Sequence, residues 1–255
     1  MSRPPLSVCI VAMNEEDRIA ECLRSADFAD DWIVVDSHST DRTREVARDA
    51  GARVIERDWP GHVAQKNFAL EQASHDWVLC LDADERVSPE LRASILAALD
   101  RAELPDGFSF PRRNRYLGRW IRHGGWYPDR KLRLFRRGRG RWGGRNPHDR
   151  VHLDGTVVEL TGDLLHDSYR SLSDHLRTID SFTTIAASEK HAAGERATLI
   201  DVTLRPWGRF ARMYLLKAGF MDGMPGFIAA LMGTYYVFLK YAKLWEMTRS
   251  PELRD

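Results

Sequence analysis

Apolar runs and turn residues alternate in a βα rhythm through the first hundred residues. Leu6 to Ala12 is a continuous apolar stretch, which predicts a buried strand. Asn14 is expected to cap the following helix, with Glu15, Glu16 and Asp17 at its positive end and Ile19 and Leu23 at helical spacing. Trp32 to Val35 predicts a second strand that ends at Asp36. Ser39-Thr40-Asp41 then offers caps for a helix through Ala50, which Gly51 stops. Ala52 to Ile55 reads as a third strand, His62 to Ala73 as a helix and Trp77 to Leu81 as a fourth strand. Ser88 caps a helix that begins with Pro89 and runs to Asp100.

This order predicts an α/β fold with a mostly parallel sheet covered by helices on both faces. Right-handed crossovers put the carboxyl ends of the strands on one rim, where ligands bind in open α/β sheets. Ala12-Met13-Asn14, Asp36 and Asp82-Ala83-Asp84 all fall at such ends. From Gly107 to Tyr169 short β-like pieces (Phe108 to Pro111, Lys131 to Phe135, Val157 to Leu160) alternate with Gly- and Arg-rich loops. They predict an antiparallel extension that completes the sheet and carries the second substrate. Ser171 to Ala192 reads as helical, and so does Arg205 to Trp245, broken near Gly223-Met224-Pro225-Gly226. The expected division is a catalytic domain over 1–170, with a nucleotide-binding half (1–105) and an acceptor half (106–170), followed by a helical region over 171–255.

The chemistry concentrates in Trp77-Val78-Leu79-Cys80-Leu81-Asp82-Ala83-Asp84-Glu85, where an apolar strand stops in a cluster of acids. Like charges packed together repel, so a positive group belongs between them. A hard divalent cation such as Mg²⁺ or Mn²⁺, itself holding a phosphate, suits an all-oxygen site.

Composition narrows the field only in part. The chain has 255 residues, enough for a full core, and a formal charge of +1 gives no reason to expect a nucleic-acid partner. Arginines crowd the stretch from Arg112 to Arg150, a zone suited to phosphates, anionic lipid or an acidic glycan, or simply a solvated basic surface. Cys9, Cys22 and Cys80 have no zinc-like spacing and read as small core residues of a reducing compartment. The first strand begins too early for a signal peptide, and no uncharged stretch reaches the roughly 20 residues a membrane span needs. These readings place the chain in the cytoplasm. The apolar stretch Phe227 to Leu239 fits either a core or homo-oligomer helix, or an element on the inner face of the cytoplasmic membrane with Arg209, Arg212, Lys217, Lys240 and Lys243 nearby.

Several ordered motifs resemble one family. Ser7 to Glu16 resembles its opening strand and turn, Val34 to Asp41 its second motif, and Asp82-Ala83-Asp84-Glu85 its metal-binding DxD. Together they resemble the inverting glycosyltransferases of family 2, which have the Rossmann-like GT-A fold. Gln65-Lys66-Asn67 and Trp126 to Phe135 are similar to the lipopolysaccharide-core β-glucosyltransferases, the WaaE/KdtX-like subgroup. The resemblance implies that Ala12, Asn14, Glu15 and Ala83 line the nucleotide-sugar pocket and that Asp36 accepts a hydrogen bond from a uracil imide. Lys66 would lie near the base or phosphates, and Asp82 near the ribose or the metal's water shell. Asp84 would ligate the metal, and His166 would reach the metal or diphosphate. It implies UDP-glucose or another UDP-sugar as donor and a lipid-linked saccharide as acceptor.

Inverting transfer needs an acid that takes the acceptor hydroxyl's proton. Asp149, in Asn146-Pro147-His148-Asp149, is the first choice because relatives tend to carry His-Glu there, and Asp129 is the second. Each site residue also has a structural reading. Asp36 could cap a helix, Asp149 pair with Arg145 or Arg150, Asp129 pair with Arg130 or Lys131, and Lys66 lie exposed. Two other classes compete. A haloacid-dehalogenase-type phosphohydrolase would carry its DxD on the first strand with Thr or Val where this chain has Arg86. A non-catalytic nucleotide-binding module would bind metal and UDP without turnover.

Overall fold

The computed structural model describes residues 3–145 and 148–249. In chain order the elements are β1 (Leu6–Ala12), α1 (Ile19–Ser25), β2 (Asp31–Asp36), α2 (Thr43–Asp49), β3 (Arg53–Glu56) and α3 (His62–Glu71). They continue as β4 (Trp77–Asp82), β5 (Glu85–Val87), α4 (Pro89–Leu99), β6 (Gly107–Tyr116), β7 (Arg119–Trp120) and β8 (Asp129–Arg136). Then come β9 (Gly140–Arg145), β10 (His148–Leu153), β11 (Val157–Glu159), β12 (Leu164–Asp167), α5 (Leu172–Ala192) and α6 (Leu199–Phe210). A π-helical stretch (Ala211–Leu216), a 3₁₀ turn (Gly219–Asp222) and α7 (Gly223–Arg249) complete the chain. Two compact units form: residues 1–112 with 129–166, and residues 113–128 with 167–255.

In the first unit the sheet order is β3-β2-β1-β4-β8-β6-β12-β5. β1, β2, β3 and β4 run parallel, and β8 joins antiparallel to β4 and β6. β1 is apolar on both faces because both are covered. Leu6, Val8 and Ile10 pack with Ile19, Cys22, Leu91 and Ile95, whereas Cys9 packs with Ala69, Leu70 and Ala73 of the α3 side. Strand order reverses at β1, so the crevice beyond the ends of β1 and β4 is the switch point. Register fixes what lies there: Ala12 pairs with Asp36 and Val11 with Asp82.

Several local expectations change. Asn14 does not cap α1: its φ of 56° turns it back, and its Oδ1 accepts from the Thr40 N–H at 2.8 Å, so the turns after β1 and β2 are tied together. Helix α1 starts later, at Ile19, without a side-chain cap. Asp41 serves the Thr43 N–H (2.9 Å), while Ser39 turns inward to Asp36. β11 joins β6 parallel, not antiparallel. The stretch read as Gly- and Arg-rich loop contains the β9–β10 hairpin, with Asn146 and Pro147 outside the described residues. Gly223-Met224-Pro225-Gly226 begins α7, and the break falls earlier, at Ala218 (φ 52°).

In the second unit α5 and α6 pack along α7 around Ala187, Tyr241 and Leu244. Tyr116, Ile121 and Ala229 form a smaller cluster, where the Tyr116 hydroxyl lies 2.8 Å from buried His175 Nδ1.

Candidate active site

Helix α3 shows how the sequence builds the site. Its buried residues are Gln65, Lys66, Ala69 and Leu70, one face at spacings of three and four. The C-terminal half of that face is apolar and packs on the sheet. Its N-terminal half, next to the rim, carries the polar pair Gln65 and Lys66. Lys66 is therefore aimed over the end of β4 with only 7% of its surface exposed.

Lys66 Nζ lies 2.8 Å from Asp82 Oδ1 and 2.8 Å from Asp149 Oδ2, and 4.4 Å from the centre of the Trp142 ring. Burial opposes the ammonium charge, but Asp82 and Asp149 raise its pKa. Asp82 Oδ2 accepts from Arg133 at 2.7 Å. Burial by itself would raise the Asp82 carboxyl; Lys66 and Arg133 instead hold it well below the usual carboxylate range. Arg133 also reaches Glu85 Oε1 at 3.0 Å, and fully buried Glu85 accepts from the Asp82 N–H at 3.0 Å. Arg112 links Glu85 (3.2 Å) to Asp129 (2.8 Å), and Lys131 holds the other oxygen of Asp129 at 2.9 Å. Burial works against the charge of Asp129, and Arg112 and Lys131 lower its pKa. Buried charges are tolerated here because each meets an opposite charge.

A cleft of about 510 Å³ opens on this network, lined by Lys66, Asp82, Arg112, Arg130, Lys131, Arg133, Trp142, Asp149 and Arg150. Six of those side chains are cationic and two are carboxylates, so the lining suits an anion such as a diphosphate. Asp84 lies at the neighbouring edge, with Oδ2 3.3 Å from His166 Nε2 and 3.8 Å from Arg18. At the end of β2 Asp36 is fully buried and accepts from the Ser39 N–H (2.8 Å) and hydroxyl. Gln65 donates to Ser37 at 3.1 Å, and its own carbonyl oxygen has no hydrogen-bond partner among the described residues. Ala12 and Ala83 are buried, and Glu15 donates its N–H to Thr43 Oγ1 at 2.7 Å.

Both oxygens of Asp82 face cations, Lys66 and Arg133. Two structural readings change and a third holds in part. Asp149 pairs with Lys66, and Lys66 is buried. Asp129 pairs with Arg112 and Lys131, while Arg130 turns to Glu159 (3.1 Å). Among the described residues no three His, Cys, Asp or Glu side chains gather as a metal cage. Asp84 and His166 nevertheless present one carboxylate oxygen and one imidazole nitrogen side by side, a donor pair suited to Mn²⁺ with phosphate oxygens completing its shell.

Sequence reasoning missed Arg133, Trp142 and Asn67. Arg133 had a signal: an arginine inside the apolar run Leu132 to Phe135 must find a buried counter-ion. Asn67 grips the hairpin through both amide atoms, accepting from the Trp142 N–H and donating to the Trp142 carbonyl, each at 2.9 Å. That clamp holds the strand pair that carries Asp149. No local pattern announces it, because its partner is 75 residues away.

A switch-point crevice with an acidic β4 end and a cationic lining suits a phosphate-bearing ligand. The chain belongs to glycosyl transferase family 2, whose family model matches residues 7–153. It is an enzyme of that family, a glycosyltransferase with a GT-A-like fold. It is similar to the lipopolysaccharide core biosynthesis glycosyltransferase LpsC of Rhizobium meliloti, at 32% identity over 95% of this chain and 92% of that protein. Among solved structures, glucosyl-3-phosphoglycerate synthase from Mycobacterium tuberculosis, in complex with Mn²⁺ and UDP-glucose, matches at 27% identity and a TM-score of 0.37, over 44% of each chain. Staphylococcus aureus TarS matches at 16% identity and a TM-score of 0.47, over 97% of this chain and 92% of its own.

Proposed function

We propose that this glycosyltransferase moves a hexose, glucose first among the candidates, from a UDP-sugar to a lipid-linked saccharide of the lipopolysaccharide inner-core type, with inversion. The acceptor class is supported by the likeness to LpsC, and the donor by the motif resemblance of Val34 to Asp41 and Asp82 to Glu85. The observation that carries the reading is Lys66, which joins the DxD carboxylate Asp82 to Asp149 within one cationic cleft.

In this reading Asp36 and the Asn14 turn form the nucleoside end. Asp84 and His166 hold a divalent cation, which when bound supplies charge stabilisation to the departing diphosphate. Lys66 and Arg133 orient Asp82 and offer positive charge along the diphosphate path. Asp149 is the base. It lines the cleft, whereas Asp129 is locked between Arg112 and Lys131 outside it. Lys66 holds the Asp149 carboxylate in an ion pair of 2.8 Å. A diphosphate entering the cleft competes for the ammonium and releases the carboxylate. The acceptor hydroxyl then gives its proton to Asp149 as its oxygen bonds the anomeric carbon and the bond to UDP breaks.

Donor screening by calorimetry tests this. UDP-glucose binds in Mn²⁺ and the affinity collapses in excess chelator or in Asp84→Ala. Metal-independent binding of equal strength in both proteins contradicts it.

A further inference from the structure

The second unit carries an exposed apolar surface. Ile200, Leu204 and Trp207 recur at helical spacing along α6 and are each at least 60% exposed. Beyond them Leu216 (80%), Leu215, Phe220, Met221 and Met224 are all more than half exposed. They flank the break at which the helical run Leu199–Leu216 meets Gly219–Arg249 at 71°, so the apolar side chains crown a corner. Such a continuous exposed patch marks a contact site.

Charge identifies the partner. Between Leu199 and Gly226 the only acids are Asp201 and Asp222, and both are buried. Asp201 closes the capping box with Thr198, and Asp222 accepts from the N–H groups of Arg122 and His123. The cations of the same stretch, Arg205, Arg209, Arg212 and Lys217, are all exposed. Arg205 pairs with Asp201 at 2.8 Å, so the surface is apolar at its crest and carries Arg209, Arg212 and Lys217 as the cations of its flanks. An apolar groove of about 630 Å³, lined by Leu176, Val202, Leu231 and Phe238, shares Trp207 with the crest. No single helix among the described residues is long and apolar enough to cross a bilayer.

We infer that the corner from Leu199 to Met224 is a docking surface for an anionic lipid bilayer: Leu215, Leu216, Phe220 and Met221 enter the acyl boundary, and Arg209, Arg212 and Lys217 meet headgroup phosphates. The segment differs from Phe227 to Leu239, the one hydropathy singles out: Ala229, Ala230 and Thr234 of that stretch are buried. The inference does not depend on the donor or the acceptor.

Vesicle flotation of the full chain, without substrates, tests it. Vesicles of phosphatidylcholine with phosphatidylglycerol should carry the protein up, and added salt should release it. Pure phosphatidylcholine should bind on the order of tenfold less or weaker. Leu216→Asp should abolish flotation, and Arg212→Gln with Lys217→Gln should weaken it on the order of tenfold. The wild-type salt titration stands even if a variant misfolds. Absence of flotation on anionic vesicles overturns the proposal, as does equal, salt-insensitive binding to both vesicle types. A dimer that Leu216→Asp dissociates, with no flotation, would assign the corner to a second copy of the chain.

Discussion

Two regions of this chain break the usual segregation of polar and apolar groups, in opposite directions. At the rim of the first unit, charges are buried: Lys66, Arg133 and Glu85 form a linked network with the partly exposed Asp82 at the cleft. At the corner of the second, Leu215, Leu216 and Phe220 stand in water. Neither arrangement favours stability. Buried ion pairs contribute little relative to an apolar core, and exposed leucines forgo their burial free energy of roughly 1.5–3 kcal/mol each. The contrast sets both regions apart from the rest of the fold, and the proposals above assign them an anion and a bilayer.

The sharpest way to break that contrast is to remove one charge. Arg133→Ala removes a charge-assisted hydrogen bond from each of Asp82 and buried Glu85, which keep Lys66 and Arg112, and should cost about 3 kcal/mol in urea unfolding. Asp84→Ala touches a partly exposed residue, so its unfolding curve should barely move while Mn²⁺-dependent transfer drops on the order of a hundredfold or more. Asn67→Ala removes two hydrogen bonds from the Trp142 backbone and should cost about 1–3 kcal/mol, with hydrogen exchange rising first in the β9–β10 hairpin. Acid should expose the network. The folded pKa of Asp82 lies below its unfolded value of about 4, so its stabilising contribution is full above that value and is lost as pH falls through the folded one. Asp82→Asn should therefore flatten the acid limb of the stability profile. The smallest effect belongs to the corner: Leu216→Asp should change unfolding by no more than about 0.5 kcal/mol, because the side chain packs on little.

How much of this was legible beforehand follows the range of the forces. The parallel half was readable because buried strands are short apolar runs bounded by caps. β1 matches its predicted limits and α4 its Ser88 cap. Asp36 and the DxD were placed at the rim by strand order alone. The hairpin was not readable: Gly140 to Arg145 has no apolar alternation, and its register depends on Asn67. The partner of Asp149 escaped, since it comes from α3, and that of Asp129 only in part: Lys131 is the expected neighbour, whereas Arg112 comes from β6. The exposed corner was hidden by hydropathy itself. Arginines interleaved with leucines lower the mean around α6, while the apolar α7 is partly a core helix.

The central claim is that Asp149, held by Lys66 in the cleft, takes the acceptor proton. It is tested most directly by Asp149→Asn, measured in parallel for UDP-glucose binding in Mn²⁺ and for transfer to lipid-linked inner-core saccharide. The account predicts donor affinity within a few-fold of the wild type and turnover reduced by about 10²–10⁴-fold. Wild-type turnover in Asp149→Asn, with turnover lost instead in Asp129→Asn, would contradict it.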